Sequence, residues 1–422
     1  MDIYMKSTEI LIAGGGAAGM MAALAASGNC GNITIVEKMP QLGKKILATG
    51  NGRCNYTNYY QSEECYRGTD SRFAWNVLQK FGCMETVELF KTYGIMPYEK
   101  NGYIYPVSEQ AIDVRNVLKR QIESKGVDIH TNEKIINVKL HLNTKTRKNY
   151  GFIAETDKNQ YYARKLILAT GGKAGAVHGS DGSGYKIAQS LGHSLVPPVA
   201  ALSSCILNEK FLKEWAGTRT KGTVAAYSET GQLLSKDSGE LQFVAQGISG
   251  IPVFQVSRYI SRELYYKKKP YLVIDIMPLY STEEIINELK KRIKNPANHT
   301  AGDIFEGIIN NRLAQALLKK CNIPVKRAAS GITSQEIIKI AKTIKKWRLI
   351  PKATGGFDKA QVTCGGVLTS EINNGTMESK ICHGLYFAGE IIDIDGICGG
   401  YNLQWAWTSG YIAGTSATES LN

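Results

Sequence analysis

Residues 9–13 (Glu-Ile-Leu-Ile-Ala) form a short apolar run after one acid, the pattern of a strand buried on both faces. Residues 17–26 are small and apolar on every side, which reads as a buried helix. Residues 32–37 are rich in β-branched side chains and close on Glu37, a second strand. Farther on the period changes. Between 69 and 125 apolar side chains recur at helical spacing, as at Phe73, Val77, Leu78 and Phe81, then Val87, Leu89 and Phe90. Residues 98–106 predict a hairpin, and 127–140 and 150–155 predict strands. From 196 to about 276 short strands dominate, with turns at 229–231 and 237–239. Residues 281–294, 301–321 and 334–346 read as helices, and 348–351 as a returning strand.

The first strand, helix and second strand make a β-α-β unit. Its first turn holds Gly14, Gly15, Gly16, Ala17, Ala18 and Gly19, a G-x-G-x-x-G pattern. Gly14 permits the tight turn. Gly16 lets backbone approach a pyrophosphate at the positive end of the helix that Ala17 and Ala18 open. Gly19 lets helix and strand pack closely. Glu37 lies 18 residues after Gly19, where a carboxylate accepts hydrogen bonds from an adenosine ribose. A free ribose fits FAD or NAD better than NADP, whose 2′-phosphate the acid would repel. The unit predicts an α/β, Rossmann-like domain of the glutathione-reductase type.

Three features favour FAD. Ala23 extends the glycine pattern as in flavoproteins, with Gly31 one residue later than usual. Residues 165–172 are an apolar strand ending in Ala169, Thr170, Gly171 and Gly172. Residues 384–390 (Gly-Leu-Tyr-Phe-Ala-Gly-Glu) precede Asp393, a turn with Gly399 and Gly400, and a helical stretch at 401–413. A strand returning from the far end of the chain can hold ribityl and pyrophosphate oxygens through Gly389, Glu390 and Asp393. No second strand-linked G-x-G-x-x-G follows, so NAD(P)H as electron donor would dock directly over the flavin. The densest loop, 42–55, contains Lys44, Thr49, Gly50, Asn51, Gly52, Arg53, Cys54 and Asn55. Lys44 and Arg53 could neutralise the pyrophosphate, amides of 50–52 could face the flavin ring, and Cys54 could lie near it. Amides after Gly399, with Asn402, Leu403 and Gln404, are expected at the pyrimidine edge of the flavin, where a helix start near Tyr401 adds favourable potential. Lys38, Ile135 and Asp181 complete the expected contacts of a tight, non-covalent FAD.

Residues 49–55 (Thr-Gly-Asn-Gly-Arg-Cys-Asn), 180–184 (Ser-Asp-Gly-Ser-Gly), 362–367 (Val-Thr-Cys-Gly-Gly-Val) and 399–407 (Gly-Gly-Tyr-Asn-Leu-Gln-Trp-Ala-Trp) together resemble the signature of the BaiN-like (YhiN-type) NAD(P)/FAD-dependent oxidoreductases. The resemblance covers nearly the whole chain. It implies flavin chemistry and leaves the substrate open, since members are associated with reduction of dehydro bile-acid intermediates and with oxidation of aminoacetone. One departure matters. Where the family has Thr-His before its Gly-x-Ser-Gly-Pro turn, this chain has Ala245 and Gln246, so no histidine role carries over. Ile251 also excludes a G-x-S-x-G nucleophile elbow.

Composition sharpens the domain picture. With 422 residues, 43% hydrophobic and 21% charged, the chain is of ordinary globular make-up and long enough for more than one core. The patterns predict a discontinuous FAD domain at 1–195 and 354–422. An insert at 196–353 has a β part at about 196–280 and 347–353 and a helical part at about 281–346. Of the net charge of +14, 25 basic against 13 acidic side chains between 196 and 353 account for +12. Clusters at 267–269, 290–292 and 345–346 read either as solvated helix faces or as a cap that attracts an anionic substrate or NAD(P)H phosphates. Few aromatic residues interleave with them, so nucleic acid is not expected. Nine irregularly spaced cysteines without Cys-x-x-Cys argue against a disulfide framework and fit a cytoplasmic location. Residues 10–27 lack charge, but three adjacent glycines and the acids Asp2 and Glu9 argue against a signal or a membrane span. No histidine pair has metal-ligand spacing, so no metal is expected; His178 and His193 flank the 180–182 loop.

These readings predict an FAD-dependent oxidoreductase that reduces an activated C=C or related bond of a small substrate, anionic or neutral, with hydride from NAD(P)H through flavin N5. An oxidase of a small amine using O2 and a non-catalytic FAD-binding protein stay open beside it. Reduction of C=C needs a proton donor, for which Cys54, Arg219 and Tyr401 are the candidates. Oligomeric state is not legible.

Overall fold

Residues 5–28, 31–142 and 149–421 are described by a computed structural model, and Cys30 falls outside them. The chain divides into two units, Met1–Pro198 with Val362–Asn422, and Val199–Gln361.

The first unit is built on seven strands: β1 (Met5–Ala13), β2 (Ile33–Val36), β3 (Asp128–His130), β4 (Ile135–Leu142), β5 (Asn149–Thr156), β6 (Gln160–Leu168) and β7 (Leu385–Phe387). Their order is β3-β2-β1-β6-β5-β4, with β7 pairing the last residues of β6. β3, β2, β1, β6 and β7 run parallel, whereas β5 and β4 are antiparallel additions. Ala13 is in register with both Val36 and Leu168, and Leu168 with Phe387. The carboxyl ends of the parallel strands therefore gather along one edge, the place where such sheets bind ligands. Ile10, Leu11 and Ile12 are wholly buried, as a central parallel strand covered on both faces requires.

Two helices cover the centre of this sheet, α1 (Ala17–Ala26) and α2 (Tyr401–Glu419). Both are apolar or small nearly all round. A Cβ on Gly410 would collide with the Ala18 carbonyl oxygen, one on Gly414 with that of Ala22, and Thr418 Oγ1 donates to the Ala26 carbonyl. The contacts advance together along both helices, so α1 and α2 run parallel. Their backbones touch because glycine carries no side chain. The stretch 127–140 divides into β3 and β4 instead of forming one strand. Asn132 turns the chain in a left-handed conformation and donates its amide to the Met39 carbonyl.

The second unit holds an antiparallel seven-stranded sheet in the order Trp347–Leu349, Tyr271–Asp275, Thr218–Tyr227, Leu233–Val244, Gly247–Ser249, Cys205–Leu207, Pro351–Thr354. Two of these strands have 10 and 12 residues, longer than expected. Ile251–Tyr265 is a helix within the stretch expected to be β; Pro252 opens it, and Val253, Val256 and Ile260 are wholly buried at helical spacing. The stretch 301–321 is also not one helix. Gly307 adopts a positive φ, and Asn310 caps a new helix, Asn311–Cys321. Trp215, fully buried, packs on Phe211, Phe243 and Trp347.

Candidate cofactor and active site

The β1–α1 turn continues the ladder of the sheet. Gly14 donates to the Val36 carbonyl at 2.9 Å and Ala169 to that of Ala13 at 2.9 Å. Gly14 has φ +103°, and a Cβ there would lie 2.6 Å from the Ala169 oxygen. A Cβ on Gly19 would strike the Gly14 carbonyl oxygen. Gly16 is different: nothing lies within 4 Å of its missing Cβ. Gly16 is also the N-cap of α1 and offers no side-chain cap, so the amides of Ala17 and Ala18 open α1 without an intrahelical acceptor. Open space before a bare helix start fits an anionic group such as a pyrophosphate.

Beside this turn a narrow cleft of about 40 Å³ is lined by Gly14, Glu37, Lys38, Lys134, Ile135 and Thr170, among others. Glu37 is buried. Its Oε2 accepts the Gly15 amide at 2.6 Å and its Oε1 the Met39 amide at 2.7 Å. Burial raises its pKa, against the opposing pull of those two amides and of Lys38. Thr170 Oγ1 is buried with no hydrogen-bond partner, an orphaned polar atom in a cleft suited to a polar ligand. Asp181 joins the same cluster through Lys38 at 2.6 Å and Lys134 at 3.5 Å. Burial opposes its ionisation, but Lys38 and Ser183 outweigh that and hold its pKa well below the usual carboxylate range.

The loop leading from β6 is fastened to the C-terminal segment. Gly171 has φ +73°, and a Cβ on Gly172 would press on Thr363. Thr363 Oγ1 accepts the Lys173 and Ala174 amides at 2.8 and 3.0 Å, and its own amide donates to Glu390 Oε1 at 2.7 Å. Glu390 Oε2 pairs with Lys45 at 2.6 Å. Lys44 lies near His178, whose pKa is lowered by burial first and then by Lys44 and Lys45. Gly389, at φ +77°, has Ala18 against it. Asp393 is wholly buried, and its Oδ2 accepts the Thr69 amide and hydroxyl at 2.8 and 2.6 Å. That carboxylate oxygen ties the C-terminal segment to residues 66–69.

The loop 42–55 starts at the glycine turn, where Gly43 donates to the Gly15 carbonyl at 2.8 Å. Thr49 donates its hydroxyl to the Ile46 carbonyl. Gly50, Asn51, Gly52 and Cys54 all have positive φ. This coil leaves Asn51, Gly52 and Arg53 exposed and Cys54 and Asn55 buried. Burial pushes the Cys54 thiol up to about 12, so it stays protonated and is a poor acid at neutral pH. Arg53 is aimed at Glu109, 3.7 Å away.

The loop ends against the start of α2. A Cβ on Gly400 would lie 2.6 Å from the Thr57 carbonyl oxygen and 2.8 Å from Asn55 Oδ1, a buried atom without a partner. Gly399 accepts from Asn58 Nδ2 at 3.1 Å. Gly400 caps α2 without a side chain, leaving the amides of Tyr401, Asn402 and Leu403 without intrahelical acceptors. The side chains of this motif turn inward. Asn402 bonds both backbone groups of Gly396, and Gln404, wholly buried, bonds Thr57, Thr86 and Thr408. The backbone amides of this helix start remain to meet a ligand there. Counted from the Ala18–Gly410 contact, α2 begins eight residues ahead of α1, about 12 Å at 1.5 Å per residue. Two bare helix starts thus face the same way, staggered along one axis.

Of the proton-donor candidates, Tyr401 is buried, and burial together with Cys65 drives its pKa well above that of a free phenol. Arg219 lies in the other unit and pairs with Glu240 at 3.2 Å. His193 is buried, bonded to Ser379 at 2.8 Å. Lys45, Thr363, Thr69 and Asn58 were not anticipated. Lys45 and Thr363 sit inside recognised motifs, whereas nothing local in the sequence marks Thr69 or Asn58.

A mainly parallel sheet whose carboxyl edge carries this glycine turn, a buried acid and a second bare helix start defines an FAD-dependent oxidoreductase of the Rossmann type. The chain belongs to the HI0933-like protein Rossmann domain family, whose model matches residues 8–416. It is 41% identical over 413 residues to the 3-dehydro-bile acid delta(4,6)-reductase of Clostridium scindens, covering 97% of this chain and 99% of that one. This bears out the resemblance carried by residues 49–55 and 399–407. The chain is also 30% identical over 416 residues to the ribosomal RNA dihydrouridine synthase of Haemophilus influenzae, covering 98% and 99%. With its Escherichia coli namesake it shares 29% over 412 residues, covering 96% and 97%. No helix among the described residues is long and apolar enough to cross a membrane.

Proposed function

We propose that this protein reduces a carbon–carbon double bond conjugated to a carbonyl, in a small planar substrate, with electrons from NAD(P)H. The observation that carries this reading is the 41% identity to a 3-dehydro-bile acid delta(4,6)-reductase along nearly all of both chains. The more distant relatives fit the same chemistry. A 3-keto group conjugated to C=C and the uracil ring saturated in dihydrouridine share one reacting unit, an alkene whose far carbon accepts hydride.

FAD, when bound, supplies the two-electron hydride chemistry. The chain's own residues do the positioning. The amides of 16–18 hold the pyrophosphate, and Glu37 orients the ribose. Lys38, Ile135, Thr170 and Asp181 line the adenosine side, with Gly389 and Glu390 beside the ribityl chain. The amides of 401–403 would hold the electron-accepting edge of the ring, where a positive helix end favours developing negative charge. These contacts hold FAD without a covalent link. The eight described cysteines are all unbridged, which supports a reducing, cytoplasmic setting.

A second substrate class, uridine in ribosomal RNA, is favoured by one observation. Val199–Gln361 holds a groove of about 620 Å³ lined by Lys339, Lys342, Lys345 and Lys346. Anaerobic mixing of the holoprotein with NADH and NADPH tests the donor, and bleaching of the flavin band is expected. Reoxidation by a 3-oxo-4,6-dienoic bile acid is expected next, with KM insensitive to salt. Reoxidation only by an rRNA fragment, with steep salt dependence, selects the second class; reoxidation by O2 alone sinks the reductase reading.

A further inference from the structure

We propose that Arg53 and Tyr105 together form the pocket that receives the carbonyl oxygen of the conjugated substrate and stabilises the negative charge it takes on during reduction. The inference rests on the reductase reading above and assigns it an oxyanion site. Strands Pro97–Lys100 and Tyr103–Pro106 pair antiparallel, with Tyr98 opposite Tyr105. Side chains alternate along Tyr103–Pro106: Ile104 and Pro106 are buried, and Tyr103 and Tyr105 share the half-exposed face with Tyr98. That face lies between the two glycine turns. A Cβ on Gly50 would be 3.7 Å from the Tyr105 ring, and one on Gly399 would be 3.2 Å from the Tyr103 ring. A planar substrate can therefore lie against tyrosine rings beside both turns assigned to the flavin ring.

Of the three paired cations Lys38, Lys45 and Arg53, Arg53 is the most loosely held. Lys38 and Lys45 are each held at 2.6 Å by a carboxylate. Arg53 meets Glu109 only at 3.7 Å, with both side chains close to half exposed. That separation is beyond hydrogen-bond length, and such exposed pairs are weak. The guanidinium keeps its fork of donors for another acceptor. Its field also reaches Tyr105, where burial raises the phenol pKa and Arg53 opposes the rise.

The step balances as follows. FAD, when bound and reduced by NAD(P)H, would supply the hydride that the β-carbon accepts. The π pair of the C=C shifts to join the α-carbon and the carbonyl carbon, and the carbonyl pair moves onto oxygen. Arg53 N–H and Tyr105 O–H donate to this enolate oxygen. Solvent then protonates the α-carbon, which restores the carbonyl. One hydride and one proton are consumed, and both residues return unchanged.

The test uses the holoprotein with a 3-oxo-4,6-dienoic bile acid, with rates expressed per bound flavin. Arg53→Met is expected to lower the rate of dienone reduction on the order of 10²-fold, the usual loss for a fixed oxyanion donor. Arg53→Lys recovers part of it, and Tyr105→Phe loses about tenfold. A readout apart from turnover is 4-nitrophenol, whose phenolate has the flat shape and charge of the enolate. Wild type is expected to bind the phenolate and lower its apparent pKa; Arg53→Met should abolish that shift. Full dienone rates in both Arg53→Met and Tyr105→Phe, or equal phenolate binding by Arg53→Met, would overturn the proposal. Should wild type reduce no dienone yet bind phenolate through Arg53, the reductase reading fails and the anion pocket stands.

Discussion

Each unit contains a seven-stranded sheet, and there the likeness stops. The first unit is mainly parallel and carries 32 of the 43 glycines, because only 11 fall within Val199–Gln361. The second is antiparallel, holds 26 basic against 14 acidic side chains, and closes on an aromatic core around Trp215. In the first, glycine places backbone where ligand atoms or neighbouring backbone must come close. In the second, large side chains fill the interior and charge covers the outside. One unit is shaped by what its backbone must approach and the other by what its side chains must fill.

The sharpest test separates these two kinds of stability. Trp215→Ala empties the centre of the aromatic core and should cost about 3–5 kcal/mol. Val199–Gln361 is then expected to melt early while flavin stays bound; coincident flavin release would break the distinction. Gly19→Ala is next. Its methyl meets the Gly14 carbonyl, so helix α1 must back away from β1, at about 1–3 kcal/mol. Here flavin affinity should fall while the melting of Val199–Gln361 is unchanged, as read by absorbance and calorimetry. The smallest effect is Asp181→Asn. The Asp181 pKa is depressed in the folded chain, so its contribution is present above the ordinary value of 3.8 and is lost as pH falls below it. The variant's Tm should lie slightly below wild type at neutral pH, with the gap closing in acid. A gap independent of pH would mean that the charge pairing with Lys38 does not supply the stabilisation.

The readable parts of the sequence were those whose physics is local. The β-α-β unit, its glycines and Glu37 follow from a run of 29 residues, in which strand, turn and helix preferences agree. The helix Ile251–Tyr265 was hidden because strands surround it, and the surrounding β pattern masked a 3.6 period begun by Pro252. Long-range partners were not legible. Lys45 meets Glu390 across 345 residues, and Thr69 meets Asp393 across 324. Only the folded sheet edge brings such pairs together. Arg53 shows a subtler limit. Its charge suggested the pyrophosphate, but a coil of left-handed residues from Gly50 to Cys54 directs it toward Glu109. Side-chain direction in such a coil depends on successive φ angles that composition does not encode.

The parallel packing of α1 and α2 keeps a constant offset of 392 residues at Ala18–Gly410, Ala22–Gly414 and Ala26–Thr418. Rigid contact at three successive turns makes the eight-residue overhang a ruler. A molecule that touches both helix starts must reach about 12 Å, a length set by the chain and not by the ligand. In a flavin nucleotide the segment that joins ring to first phosphate is the ribityl chain, so this overhang would set how far that chain must extend. Discrimination between FAD and FMN would then fall to the far side of the glycine turn, where only FAD has an adenosine to place beside Glu37.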